Sequence, residues 1–300
     1  MTVPLSAKLA KFLGFMRHVR GWPAIATKLA THDVEFESRR GKARFAGNLK
    51  SSIDREAYLY GSYDWHKIAP FLAQATRRGT IADVGANIGN HTLAFARHFD
   101  RVISFEPNSQ IWPLIERNIA INPWADIELR KMGLGDEAAD LPIFVNDNHG
   151  LSTFLDGELD NAHGLSAHIA VGDEELRGIA IDALKIDVQG FEPNVLRGLR
   201  ETIEINRPLI WVEISETMLH TPTASALAEL IPVPFRMMRY VSRKGVLLNR
   251  TELVEHTTEH LPVGDYLVIP EGYSTSPASD RISRQNTKAS SISPLDSVFV

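Results

Sequence analysis

Three hundred residues, 44% of them hydrophobic and with a net charge of −5, allow one large domain or one domain with appendages. The absence of cysteine excludes a disulfide framework, a thiol nucleophile and a cysteine-based metal site. No run of ~18 apolar residues is present for a transmembrane helix, and the basic N-terminus lacks the apolar core and cleavage site of a signal peptide, so a cytoplasmic protein is expected.

Charge is unevenly spread. Residues 1–50 carry ten Lys or Arg against three acids, +7, which leaves −12 for the remainder. Between residues 5 and 20, Leu5, Leu9, Phe12, Met16 and Val19 recur at helical spacing, with Lys8, Lys11, His18 and Arg20 largely off that stripe. Two readings fit this helix. It packs on the main domain, or it lies as a basic amphipathic segment on an anionic membrane or a partner. Gly21-Trp22-Pro23 is expected to end it. Loose alternation over 33–50 around Arg39-Arg40-Gly41-Lys42 predicts a hairpin with a basic turn. Residues 1–50 thus form an N-terminal extension, and 52–76 read as two helices, Arg55 to Tyr60 and Trp65 to Ala75, broken near Gly61.

A short apolar strand at 80–84 then runs into Gly85-Ala-Asn87-Ile-Gly89 and a helix-like segment, His91 to Phe99. A strand, a glycine turn and a helix N-terminus make the place where an α/β sheet accepts a nucleotide-like ligand. A glycine there lets the backbone approach the ligand, because no Cβ occupies its space. From this point strands and helices alternate. Strands are predicted at 101–105, 126–132, 141–145, 165–171, 183–188, 208–214, 235–241, 246–248 and 266–269. Helices are predicted at 111–121, 192–204 and 222–231, with a long polar loop over 146–164. The pattern implies an α/β fold, a mostly parallel sheet covered by helices on both faces. The main domain spans 51–270, and 271–300 reads as a flexible Ser/Thr-rich tail.

Four polar features close apolar strands in chain order: Asp83 to Gly89, Glu106, Asp136 and Asp187-Val-Gln189-Gly190. Ligands bind at the carboxyl ends of such strands. Glu106 lies about twenty residues after the glycine turn, where a carboxylate can accept both hydroxyls of a ribose. That alone would also suit a nicotinamide cofactor. The turn separates the two, since Asn87 stands where a dinucleotide-binding Gly-x-Gly-x-x-Gly turn has its second glycine.

Asp-Val-Gly-Ala-Asn-Ile-Gly (83–89), Phe-Glu-Pro-Asn (105–108), Gly-Leu-Gly-Asp (133–136), Leu-Lys-Ile-Asp-Val-Gln-Gly-Phe-Glu (184–192) and Val-Glu (212–213) together resemble the FkbM family of S-adenosylmethionine-dependent methyltransferases. The resemblance spans about residues 55–270. It implies a class I methyltransferase (Rossmann-like) fold of seven strands with the last antiparallel, and O-methylation of a glycan or secondary-metabolite hydroxyl. It also implies that Asp83, Gly85, Asn87 and Gly89 hold the methionine moiety of S-adenosyl-L-methionine, that Glu106 holds the ribose, and that Asp136 lies near the adenine. Asp187 would line the space between sulfonium and acceptor, as base, positioner or partner of the cofactor ammonium. Glu213 would complete the acceptor site. Such families commonly carry Glu where this chain has Gln189, which points to an orienting role there. His91 is a possible base or a surface-helix histidine, and Glu192 a helix N-terminal acid without chemistry. Asp147, Asn148 and His149 support no metal assignment.

Three other readings compete. A nicotinamide-dependent oxidoreductase lacks its third glycine. A nucleic-acid methyltransferase would grip phosphates with the basic first fifty residues, but the catalytic part is acidic and lacks an Asn/Asp-Pro-Pro-aromatic motif. A non-catalytic binding protein would have no need of intact Glu106 and Asp187. A hydroxyl acceptor, small molecule or glycan, with no nucleic acid, is therefore expected.

Overall fold

The computed structural model describes residues 2–145, 152–153, 163–214, 227–245, 248–256 and 262–273. Its centre is an eight-stranded sheet in the order β13-β12-β14-β11-β10-β3-β4-β5. The strands are β3 (Thr80–Val84), β4 (Arg101–Phe105), β5 (Ile127–Arg130), β10 (Ala183–Ile186), β11 (Leu209–Ile214), β12 (Phe235–Lys244), β13 (Asn249–His256) and β14 (Gly264–Pro270). β4, β3, β10 and β11 pair in parallel, whereas β14 runs antiparallel between β11 and β12. One strand exceeds the expected seven. The strand anticipated at 246–248 instead spans Asn249–His256 and pairs along the outer edge of β12.

Side-chain alternation divides the core. On β11, Ile210, Val212 and Ile214 join a cluster with Val195, Leu196, Leu199 and Ile203 from helices Glu192–Gly198 and Arg200–Asn206. Leu209 and Trp211 point to the other face, against Phe71, Phe95 and Phe99. Helices therefore cover both faces, as the near-continuous apolar strands require.

Two predicted strands, Ala139–Val145 and His163–Val171, pair with each other in a separate four-stranded sheet. Gly133–Gly135, read as part of a polar stretch, joins that sheet beside Ile169–Val171. Most of the predicted 146–164 loop, with Asp147, Asn148 and His149, lies outside the described residues, as do 215–226 and 274–300.

The first fifty residues form α1 (Leu5–Phe12), a 3₁₀ turn (Leu13–His18), α2 (Trp22–Ala30) and the hairpin β1–β2 (Glu35–Arg40 and Ala43–Asn48). Gly21-Trp22-Pro23 does more than end a helix. Pro23 sits in the first turn of α2, where its missing N–H costs nothing. Ala7, Ala10, Trp22 and Ala26 share one core with Ala57 and Leu59 of α3 (Ser52–Tyr60). The hairpin is held to α6 (Trp112–Ala120) and the turn after it by side-chain amides. Asn118 accepts from Ala46 N (2.8 Å) and donates to Ala46 O (3.2 Å). Asn122 accepts from Arg44 N (2.8 Å) and donates to Arg44 O (2.7 Å).

Candidate active site

The turn after β3 passes through left-handed backbone at Gly85 (φ 80°), Asn87 (φ 51°) and Gly89 (φ 80°) before α5 (Asn90–Phe95) begins. Glu106, at the tip of β4, holds the strained Asn87. Its Oε2 accepts Asn87 N–H at 2.7 Å and its Oε1 accepts Asn108 N–H at 2.9 Å. Burial pushes the Glu106 carboxyl up to about 7, against those two backbone hydrogen bonds. A carboxylate offers about four lone-pair positions, so two remain for a ligand.

Gly85 is needed for a reason other than ligand access. A Cβ there would fall 1.9 Å from the carbonyl oxygen of Asp187. The turn is thus pressed against the end of β10 by the protein itself.

Lys185 lies beneath the turn. It is a cation in the middle of an apolar strand, only 3% exposed. Its Nζ donates to Gly85 O at 2.9 Å and lies 3.5 Å from Asp83 Oδ1 and 3.3 Å from Asp187 Oδ2. Burial alone would favour the neutral amine, but Asp187 and Asp83 outweigh it and keep Lys185 ionised. Thr92 Oγ1 donates to Asp83 Oδ2 at 2.6 Å. Asp83 is fully buried and serves as a foundation for the turn.

Asp187 and Glu213 meet at the carboxyl ends of β10 and β11. Gln189 Nε2 donates to Asp187 Oδ1 (2.9 Å) and to Glu213 Oε2 (3.2 Å), the orienting role expected of an amide at that position. Burial and the neighbouring Asp187 charge raise the Glu213 carboxyl to about 8, so at neutral pH it carries a proton and hydrogen-bonds Asp187. For Asp187, burial acts upward, but Lys185 and the bonds from Glu213 and Gln189 hold it well below the usual carboxylate range. Two adjacent carboxyls thus share one proton, with environments that push their affinities apart. Glu192 locks the loop between them, accepting from Val188 N and Gly190 N at 3.0 Å each.

Gly85, Asn87, Glu106, Asp187 and Glu213 line a single cavity of ≈ 940 Å³. Asp83 and Gly89 lie behind its wall. Asp136 lies outside the lining, held by Arg197 Nε (2.6 Å) and Asn194 Nδ2 (3.2 Å). His91 is buried rather than at the surface, ringed by Tyr63, Phe95 and Trp211. Burial, and then Lys185, lower it to about 3, so it is neutral at working pH.

Several lining residues were not anticipated. Asn48, Asp54, Tyr63 and Lys67 come from before β3, and Asp265 from β14. Lys67 Nζ bridges Asp64 (2.9 Å) and Asp265 (2.5 Å), while Trp211 Nε1 donates to Asp265 Oδ1 (2.9 Å). Glu56, Asp64 and His66 bring two carboxylate oxygens and an imidazole nitrogen within 4.8 Å of one another, with Lys67 already neutralising Asp64. Lys185 carried a legible signal, since a charge inside a buried strand must have partners. The N-terminal wall carried none.

Three residues of the cavity lining also carry a buried side-chain atom with no hydrogen-bond partner among the described residues: Asp54 Oδ1, Asn90 Nδ2 and His91 Nε2. A family model described as the methyltransferase FkbM domain matches residues 83–240, from the turn to β12.

The chain belongs to the FkbM methyltransferase family.

This FkbM methyltransferase is 27% identical over 194 residues to the hexuronic acid methyltransferase AglP of Haloferax volcanii, covering 62% of this chain and 76% of the relative. It is 26% identical over 201 residues to methyltransferase 1 of Beauveria bassiana, covering 59% and 78% respectively. Among solved structures, a methyltransferase FkbM from Methylobacillus flagellatus aligns with a TM-score of 0.40 at 14% identity, over 87% of this chain and 58% of that one.

Proposed function

We propose that this FkbM methyltransferase is an S-adenosylmethionine-dependent O-methyltransferase acting on a hydroxyl of a glycan or a secondary metabolite. The observation that carries the reading is the proton-sharing pair of Asp187 and Glu213, facing one cavity with Glu106 and the glycine turn. S-adenosylmethionine, when bound, supplies a methyl group on a positively charged sulfur, itself a good leaving group.

A hydroxyl is a poor nucleophile until its proton leaves, so the chain must accept that proton at the moment of transfer. The Asp187–Glu213 pair is the acceptor. Gln189 fixes the two carboxyls in one orientation, and Lys185 keeps Asp187 ionised. Glu106 offers its two remaining lone-pair positions to the ribose hydroxyls. The rest of the catalysis is positioning, because in-line displacement needs its reacting atoms ~3–3.5 Å apart. The hexuronic acid methyltransferase relative supports a sugar as the class of acceptor to try first.

The test is calorimetric titration with S-adenosylmethionine, S-adenosylhomocysteine and NAD, in wild type and Glu106→Ala. The expected result is binding of the two sulfur ligands, no NAD binding, and a loss of ~2 kcal/mol or more in the variant. Methyl uptake from labelled S-adenosylmethionine by uronic acids and neutral glycosides then identifies the acceptor. Binding of NAD alone, or of no ligand, refutes the assignment.

A further inference from the structure

The N-terminal helix is inside out relative to its hydrophobic stripe. Its small residues, Ala7 and Ala10, face the core, and the large ones face water. Leu5 is 82% exposed, Leu9 51% and Phe12 77%, at the i, i+4 and i+7 spacing of one helix face. Phe15 continues the row into the 3₁₀ turn at 73%, and Ile25 stands 54% exposed on α2. A concentration of large exposed apolar side chains marks an interaction surface, whereas single ones are ordinary.

The charge of the segment that carries this surface has one sign. Residues 1–32 contain Lys8, Lys11, Arg17, Arg20 and Lys28 and no acid at all, in a chain whose net charge is −5. Lys11 and Arg17 are drawn inward over the rings of Tyr58 and Trp65, at 4.4 and 4.5 Å. Lys8, Arg20 and Lys28 remain exposed on the same segment. Apolar side chains and cations on one segment match the boundary of an anionic bilayer, where acyl chains meet negatively charged headgroups. A neutral apolar partner would leave the cations without purpose. An acidic one would leave Leu5, Phe12 and Phe15 without theirs.

We infer that α1, the 3₁₀ turn and α2 form a peripheral docking surface for an anionic lipid bilayer. None of the described helices is long and apolar enough to cross a membrane, so the contact is made lying on the surface. The docking helices pack on α3, whose first turn, Ser52 to Asp54, lines the catalytic cavity. The cavity is thereby tied to the bilayer by a rigid element.

The test is flotation of the full chain with phosphatidylcholine vesicles, with and without one-third phosphatidylglycerol. Two double variants accompany the wild type, Phe12→Ser with Phe15→Ser and Lys8→Glu with Arg20→Glu. All four positions are at or near the surface, so thermal melting should be unchanged and loss of binding cannot be ascribed to unfolding. The expected result is binding to anionic vesicles that weakens at high salt and falls at least ~tenfold in each variant. Equal binding to neutral vesicles, no binding, or binding that survives the Phe pair overturns the proposal. Light scattering addresses the competing occupant. A dimer that the Phe pair dissociates, with no vesicle binding, assigns the surface to a second copy and equally overturns it.

Discussion

Replacing Lys185 with Met tests the centre of the site, because one buried cation there serves two carboxylates and a carbonyl. Met nearly matches the length of the lysine stem, so packing is largely kept and the charge is lost. Asp83 and Asp187 then lie buried without compensation, and Gly85 O loses its donor. Breaking a buried ion pair from one side costs ~3–5 kcal/mol. For a domain of this size that lowers Tm by roughly 6–20 °C, at ~2–4 °C per kcal/mol. The deficit should also depend on pH. Without Lys185 the two carboxyls have folded-state pKa values above their unfolded ones. Their cost is absent at low pH, where both are protonated, and grows as pH rises through the folded values. Thermal melts of wild type and variant between pH 5 and pH 8 would therefore converge toward the acid end. The Asp83→Asn change in the same background should recover part of the loss, which a packing defect would not allow. A loss below ~1 kcal/mol, or one independent of pH, would refute the shared-cation account.

The proposed role of the Asp187–Glu213 pair sets a second expectation, since a base acts in its deprotonated form and the Glu213 carboxyl is raised to about 8. The rate of methyl transfer should rise through that pH, and Glu213→Gln should remove the rise and lower kcat by about 10²–10⁴-fold in a pH–rate profile. Gly85→Ala places a methyl against Asp187 O in a left-handed backbone, so at least ~1–3 kcal/mol of stability should be lost in a urea titration, with cofactor binding impaired. Asp136→Ala removes a half-exposed pair with Arg197 outside the cavity. It should cost ~1 kcal/mol or less and leave the calorimetric affinity for S-adenosylmethionine unchanged. A large loss of affinity would instead support the adenine role that the family resemblance implies.

How much of this could be read from the chain differs by region. Between β3 and β11 the strands are short, apolar and bounded by Gly, Pro or an acid, so period and punctuation locate them and the strand ends mark the site. The second sheet is different. Gly133–Gly135 meets Ile169–Val171 across more than thirty residues, and no local pattern encodes that pairing. Helix α1 leaves two readings open in the sequence, because a stripe of Leu and Phe fits a core face or an outward one; the core takes its alanines with Met16 and Val19, and leaves Leu5, Leu9 and Phe12 exposed. The resemblance implies a place near the adenine for Asp136 from its motif alone, and its pair with Arg197, more than sixty residues on, has no local signal. The cavity wall from Asn48 to Lys67 precedes the 83–240 stretch matched by the family. Residues outside the motifs that carry the resemblance could not be assigned from it.

The two asparagines of α6 and its end have a consequence for how the molecule avoids its own kind. A hairpin strand with a bare side is a template on which another chain can extend a sheet. Here Asn118 and Asn122 offer Ala46 and Arg44 the donor and acceptor that a neighbouring strand would have supplied. The position is occupied by a helix, which cannot propagate the ladder. Growth of sheet from one molecule to the next is therefore closed off along β2 by two side chains.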